Sequence, residues 1–153
     1  MAARAGTVMT MLADDAAVEA VVFGDGGLLA AGPDLLHISC STVSVDLTAR
    51  LAAAHAAAGQ RFVSAQVLGR PDVAAAGKLS VIAAGAAEDL DVAQPLFDAI
   101  GAGTQRVGDR PVMAAAVKVA LNAGIPAIMQ MLRRNSSASS PPTASPRIGW
   151  LRC

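Results

Sequence analysis

Leu35-Leu36-His37-Ile38-Ser39-Cys40-Ser41-Thr42-Val43-Ser44 is an apolar run that breaks into hydroxyls. Residues 35–39 are short and mostly apolar, which predicts a strand. Ser44 is placed to cap a helix, because its side-chain oxygen can accept an orphan amide of the first turn. Leu47, Leu51, Ala54 and Ala58 then recur at helical spacing, and Gly59 closes the run. Strand, hydroxyl-bearing turn and helix in that order predict one repeat of an α/β sheet.

The same alternation extends both ways. Upstream, residues 7–12 are β-compatible, and Asp14 or Asp15 can cap a helix through Val18, Val21 and Val22 that ends at Gly24-Asp25-Gly26-Gly27. Downstream, residues 61–67 predict a third strand, 71–76 a helical turn stopped by Gly77, and 79–84 a fourth strand. A helix follows with Leu90, Ala93, Phe97 and Ile100. Pro95 is expected to kink it or start a second piece, since proline brings no amide donor. Residues 105–107 predict a short last strand, and a long helix runs from Pro111 to about Asn122, or past Pro126 with a kink. The pattern predicts a largely parallel sheet with helices on both faces.

Hydrophobic residues make up 54% of the 153 positions but aromatics only 3%, so the core must be aliphatic and alanine-rich. Twelve basic residues balance twelve acidic ones, which gives no bulk charge to attract nucleic acid or an anionic membrane. Cys40 and Cys153 suggest no disulfide framework, and a cytoplasmic location is expected. The most apolar stretch, 112–131, is interrupted by Lys118, Asn122, Pro126 and Gln130, so no membrane span is expected. The opening residues read as a buried strand rather than an export signal. From Asn135 the composition turns to Ser, Pro and Ala, which predicts a folded region over 1–134 and a disordered tail over 135–153.

Lys118 sits among apolar neighbours, with Asn122 four residues on and on the same helical face. An apolar surround lowers a lysine pKa and suits it to proton exchange with a substrate hydroxyl; the plainer alternative is a lysine that snorkels to solvent. Ser41 and Thr42 lie past a strand end, where α/β sheets bind ligands, or they serve only to cap the next helix. Gly69 lets backbone approach a ligand, or is an ordinary turn residue. Gly24-Asp25-Gly26-Gly27 and Gly101-Ala102-Gly103 follow helices rather than strands and are expected to be turns. His55 is expected to face solvent and His37 to be a partly buried, satisfied strand residue. These two histidines and Cys40 suggest no metal site.

Three segments together resemble the β-hydroxyacid dehydrogenase family, which includes 3-hydroxyisobutyrate dehydrogenase and the cofactor domain of 6-phosphogluconate dehydrogenase. Ser41-Thr42 matches its Asp-x-Ser-Thr motif, with Ser39 for the Asp and Val45 for the later Pro. Ala65, Val67 and Gly69 match its Asp-Ala-Pro-Val-Ser-Gly segment, with Gln66 for Pro and Leu68 for Ser. Lys118 and Asn122 match its Lys-x-x-Asn-Asn motif, with Leu121 for the first Asn.

The resemblance implies a Rossmann-like fold and hydride transfer between a hydroxy acid and NAD or NADP, with Lys118 as acid/base and Asn122 beside it. It implies substrate contacts at Ser41, Thr42 and Gly69, and cofactor contacts at Met11, Leu12, Ala13 and Thr42. Imine reduction, known among relatives, is a second chemistry. Measured against the family, the chain is expected to lack the first βαβ unit with its glycine-rich loop, and the helical domain through which members dimerise. The change of composition after Arg133-Arg134 would fit a shifted reading frame. The alternative function is a non-catalytic fragment or a metabolite-binding module.

Overall fold

The computed structural model describes residues 6–138, and side chains through residue 130. It divides the chain into two compact units, Met1–Leu121 and Asn122–Cys153. The first unit holds the sheet. In chain order its elements are β1 (Thr7–Thr10), α1 (Asp15–Phe23), a 3-10 turn (Leu28–Ala31), β2 (Leu36–Ser39), α2 (Val45–Ala57), β3 (Arg61–Leu68), α3 (Pro71–Ala75), β4 (Leu79–Ala84), α4 (Ala87–Ile100) and β5 (Gly101–Gly108). The helix α5 (Val112–Ala138) follows.

The strands lie in the order β1-β2-β3-β4-β5. β1, β2 and β3 are mutually parallel, β4 is antiparallel to β3, and β5 is parallel to β4. Each parallel step carries a helix, because the chain must return to the starting edge. Only the short α3 and its flanking turns separate β3 from β4, which is too little for such a return, so that step reverses. The result is the expected Rossmann-like α/β sheet.

Helices cover both faces. Leu36, Ile38, Val63, Ala65, Val81 and Ala83 meet Leu90, Ala93 and Phe97 of α4 on one face. On the other, Val18 and Val22 of α1 and Leu47 and Leu51 of α2 pack with Phe62, while Ala114 of α5 packs on Ile82 and Ala84. The α1 cap is Asp14, whose carboxylate accepts the Ala17 amide at 2.8 Å. Ser44 caps α2 by accepting the Leu47 amide at 3.1 Å. Ser44 in turn donates its own amide and hydroxyl to the Asp15 carboxylate at 3.0 and 2.6 Å, so the starts of α1 and α2 are tied together.

Several expectations are corrected. Pro95 starts no second piece: α4 is one helix with the proline inside it, and Leu90, Ala93 and Phe97 are in the core on both sides. Gly101-Ala102-Gly103 is no turn but the start of β5, which is longer than residues 105–107. A side chain at Gly101 would place its Cβ 2.6 Å from the Leu79 carbonyl, so glycine here permits close strand pairing. His55 is fully buried rather than solvent-facing, because its ring finds hydrogen-bond partners inside. α5 passes Pro126, the longer of the two expected courses, and runs to Ala138, so residues 135–138 are helical rather than disordered; the rest of the Ser/Pro-rich segment lies outside the described residues. Within α5, Val112–Gln130 is long and apolar enough, by length and composition, to cross a membrane. Ala114 and Ala115 near its start are buried in the sheet unit.

Candidate functional site

The parallel strands β1, β2 and β3 end on one side of the sheet, and the segments that follow them converge there. Ser41 is buried and its Oγ accepts the Leu12 amide at 2.7 Å. The Ser41 carbonyl accepts Nε2 of Gln66 at 2.9 Å, and the same nitrogen lies 3.3 Å from Ser64 Oγ. Ser41 thus clasps the three strand ends together. Thr42 beside it is exposed.

Lys118 reaches back from α5 and donates from Nζ to the Val67 carbonyl at 2.7 Å. Partial burial holds its pKa below the ordinary lysine value, because the charged form loses solvation. Gly69, two residues past Val67, has φ +152°, and a Cβ there would lie 2.5 Å from Leu79 Cδ2. Met11 is 64% exposed, Leu12 half-buried and Ala13 exposed. Asn122 is exposed on α5 and is the first residue of the second compact unit.

An apolar cavity of about 440 Å³ opens at these strand ends, with Met9, Met11, Cys40, Val67, Gly69 and Arg70 in its lining. Arg70 is its charged lining residue. Val67 links cavity and lysine, since its residue lines the one and its carbonyl holds the other. Cys40 is a wall rather than a nucleophile: burial pushes its thiol up to about 11.

Sequence reasoning missed Gln66, which appeared only as a substitute for proline. The signal was present as polar residues at alternate positions on adjacent strands: His37 and Ser39 on β2, Ser64 and Gln66 on β3. Among the described residues, two buried side-chain atoms in that row, Ser39 Oγ and Gln66 Oε1, have no hydrogen-bond partner.

A dinucleotide makes two demands on such a site. Its nicotinamide end needs an apolar bay, and the cavity at Met11, Val67 and Gly69 is apolar. Its pyrophosphate needs a helix N-terminus free of negative charge. α1 is capped by the Asp14 carboxylate and has Asp15 in its first turn. α2 is capped by Ser44, which is bonded to Asp15, and has Asp46 in its first turn. These carboxylates already complement the helix dipoles and would repel phosphate. Neither α1 nor α2 therefore offers the pyrophosphate an acid-free helix N-terminus.

Residues 1–117 match the family model described as the NAD binding domain of 6-phosphogluconate dehydrogenase. Over 122 residues the chain is 47% identical to an uncharacterized oxidoreductase, YfjR, of Bacillus subtilis, covering 79% of this chain and 43% of that protein. Over 107 residues it is 39% identical to a 3-hydroxyisobutyrate dehydrogenase of Pseudomonas aeruginosa, covering 69% of this chain and 36% of that one. A solved Mycobacterium tuberculosis 3-hydroxyisobutyrate dehydrogenase with L-serine has a TM-score of 0.75 and 27% identity, covering 86% of this chain and 44% of that one. The chain spans less than half the length of these relatives.

Proposed function

Because the chain belongs to the family of the NAD binding domain of 6-phosphogluconate dehydrogenase, we propose that it is the part of an NAD(P)-dependent hydroxyacid oxidoreductase that brings a proton-exchanging lysine to the nicotinamide. The observation that carries this reading is Lys118 Nζ held at the carbonyl of Val67, a residue that lines the cavity at the strand ends. A bound nicotinamide would supply the hydride acceptor for the substrate carbon. Neutral Lys118 takes the proton of the substrate hydroxyl at Nζ, and the Val67 carbonyl supports the ammonium that forms. Depressing the lysine pKa raises the neutral fraction near physiological pH. Arg70 on the cavity lining supplies a cation for the substrate carboxylate, and the exposed Thr42 a hydroxyl. Gly69 keeps the backbone beside them open to a close-lying substrate.

A second reading, a module that holds no dinucleotide by itself, is favoured by the acidic caps of α1 and α2. One titration separates the two. The chain is titrated with NADH and NADPH while nicotinamide fluorescence is followed, with Lys118→Ala in parallel and circular dichroism to verify folding. Saturable binding, followed by turnover of 3-hydroxyisobutyrate, L-serine or a cyclic imine that Lys118→Ala lacks, supports the dehydrogenase reading. A folded chain that binds neither nucleotide supports the second.

A further inference from the structure

Behind the carboxyl end of β1 lies a buried line of hydrogen bonds that the proposed chemistry does not use. Thr10 Oγ1 lies 2.9 Å from His37 Nε2, His37 Nδ1 lies 2.9 Å from His55 Nε2, and His55 Nδ1 lies 2.7 Å from Gln60 Oε1. Gln60 Nε2 donates to the carbonyls of Leu28 and Gly32, both at 2.9 Å. Both histidines are fully buried, and His55 stacks on Phe62 at 5.2 Å between ring centres.

The two carbonyls fix the direction of the whole line. They can only accept, so the Gln60 amide nitrogen must face them and Oε1 must face His55. His55 then carries its proton on Nδ1 and leaves Nε2 bare. His37 must donate from Nδ1 to that bare nitrogen, which leaves its own Nε2 bare. Thr10 must therefore donate inward. A hydroxyl is the one group in the line that can exchange donor for acceptor without moving its heavy atom. We propose that Gln60, His55 and His37 form a one-way relay that makes the Thr10 hydroxyl a proton-sensitive rotor at the carboxyl end of β1.

An added proton has one place to go. On His55 Nε2 it would face the His37 Nδ1 proton, whereas on His37 Nε2 it meets the Thr10 oxygen, which turns and accepts. His55 is the group whose charge acts on His37, after burial, and Gln60 is the side-chain partner acting on His55. Phe62 of β3 flanks both rings, and Val18 and Val22 of α1 and Leu51 of α2 are buried in one cluster with it. On these elements Arg50 pairs with Glu19 and Asp15 with Ser44 in exposed contacts, and Arg61, next to Gln60, pairs with Asp89.

Long-range proton–nitrogen correlation of the imidazoles, on the full chain at neutral pH, tests the direction. Both rings are expected protonated on Nδ1 and bare on Nε2. In Thr10→Val the His37 Nε2 resonance should move toward that of an unbonded nitrogen while His55 Nδ1 holds still, and Thr10→Ser should restore it. On acidification of the folded chain, the first proton should appear on His37 Nε2. Either ring protonated on Nε2 at neutral pH, an unmoved His37 Nε2 in Thr10→Val, or a first proton on His55 would overturn the proposal. If acid unfolds the chain first, the neutral-pH tautomers decide.

Discussion

The Nζ of Lys118 lies 2.7 Å from the carbonyl oxygen of Val67, joining α5 to the end of β3. The contact matters because Val67 also lines the apolar cavity. One residue thus holds the lysine and walls the space beside it. The interaction needs no ion pair: a carbonyl accepts the ammonium without pinning it in the charged form as strongly as a carboxylate would.

The amine of Lys118 is expected to titrate below an ordinary lysine. Burial raises the cost of its charge, so the neutral form appears at lower pH than in a solvated side chain. The rate of Lys118 acylation against pH, read site by site by mass spectrometry, checks this. A profile coincident with that of a free lysine side chain would refute it. In any preparation that turns over substrate, Lys118→Ala should cost about 10²–10⁴-fold in kcat, the range for a lost general acid or base.

Stability should fall on mild acidification because of the histidine pair. His37 is lowered to about 3, by burial first and by His55 second. His55 is lowered by burial, partly opposed by its bond to Gln60. An unfolded histidine takes a proton near ~6.5. Between that value and the folded one, the unfolded chain binds more protons, so unfolding free energy rises with pH. The stability is fully present above about 6.5 and is lost as pH falls toward 3. Urea midpoints from pH 7.5 down to 4.5 should decline, and the double variant His37→Val/His55→Leu should flatten that slope.

Gly69→Ala should destabilise the chain by roughly 1–3 kcal/mol, the usual scale for a non-glycine residue forced into such a conformation. Its φ of +152° disfavours a side chain, and the new Cβ would push on Leu79 Cδ2 at 2.5 Å. Thermal melts of the variant against the parent measure the cost. A gain in Tm would show that β3 and α3 can relax around the methyl group.

Phe97→Ala should cost about 3–5 kcal/mol, as expected for a large buried side chain that leaves a cavity. Phe97 is fully buried and closes the face of the sheet under α4. With few aromatics in the chain, no neighbour can easily swing in to fill the hole. Denaturant unfolding gives the figure, and a loss below about 1 kcal/mol would mean that α4 collapses onto the sheet.

Much of this molecule was legible before its structure. Hydrophobic runs, capping residues and glycine stops are local signals, so Asp14, Ser44, Gly59 and Gly77 marked element ends correctly. Gly101 misled because its position is decided by a neighbour distant in sequence, the Leu79 carbonyl. His55 misled similarly. On a helix rich in alanine it looked solvated, and only the fold brings His37 and Gln60 to its two nitrogens.

The sequence by itself determined the alternation of strands and helices, the aliphatic character of the core, and the order of Ser41, Gly69 and Lys118 along the chain, because periodicity and caps act over a few residues. The tertiary structure decided which of these residues meet. It turned β4 against β3, made Ser41 a clasp on Leu12, gave Lys118 the Val67 carbonyl, and buried two histidines in one directed line. Those choices depend on which side chains the sheet brings together across tens of residues, and no local pattern carries that information.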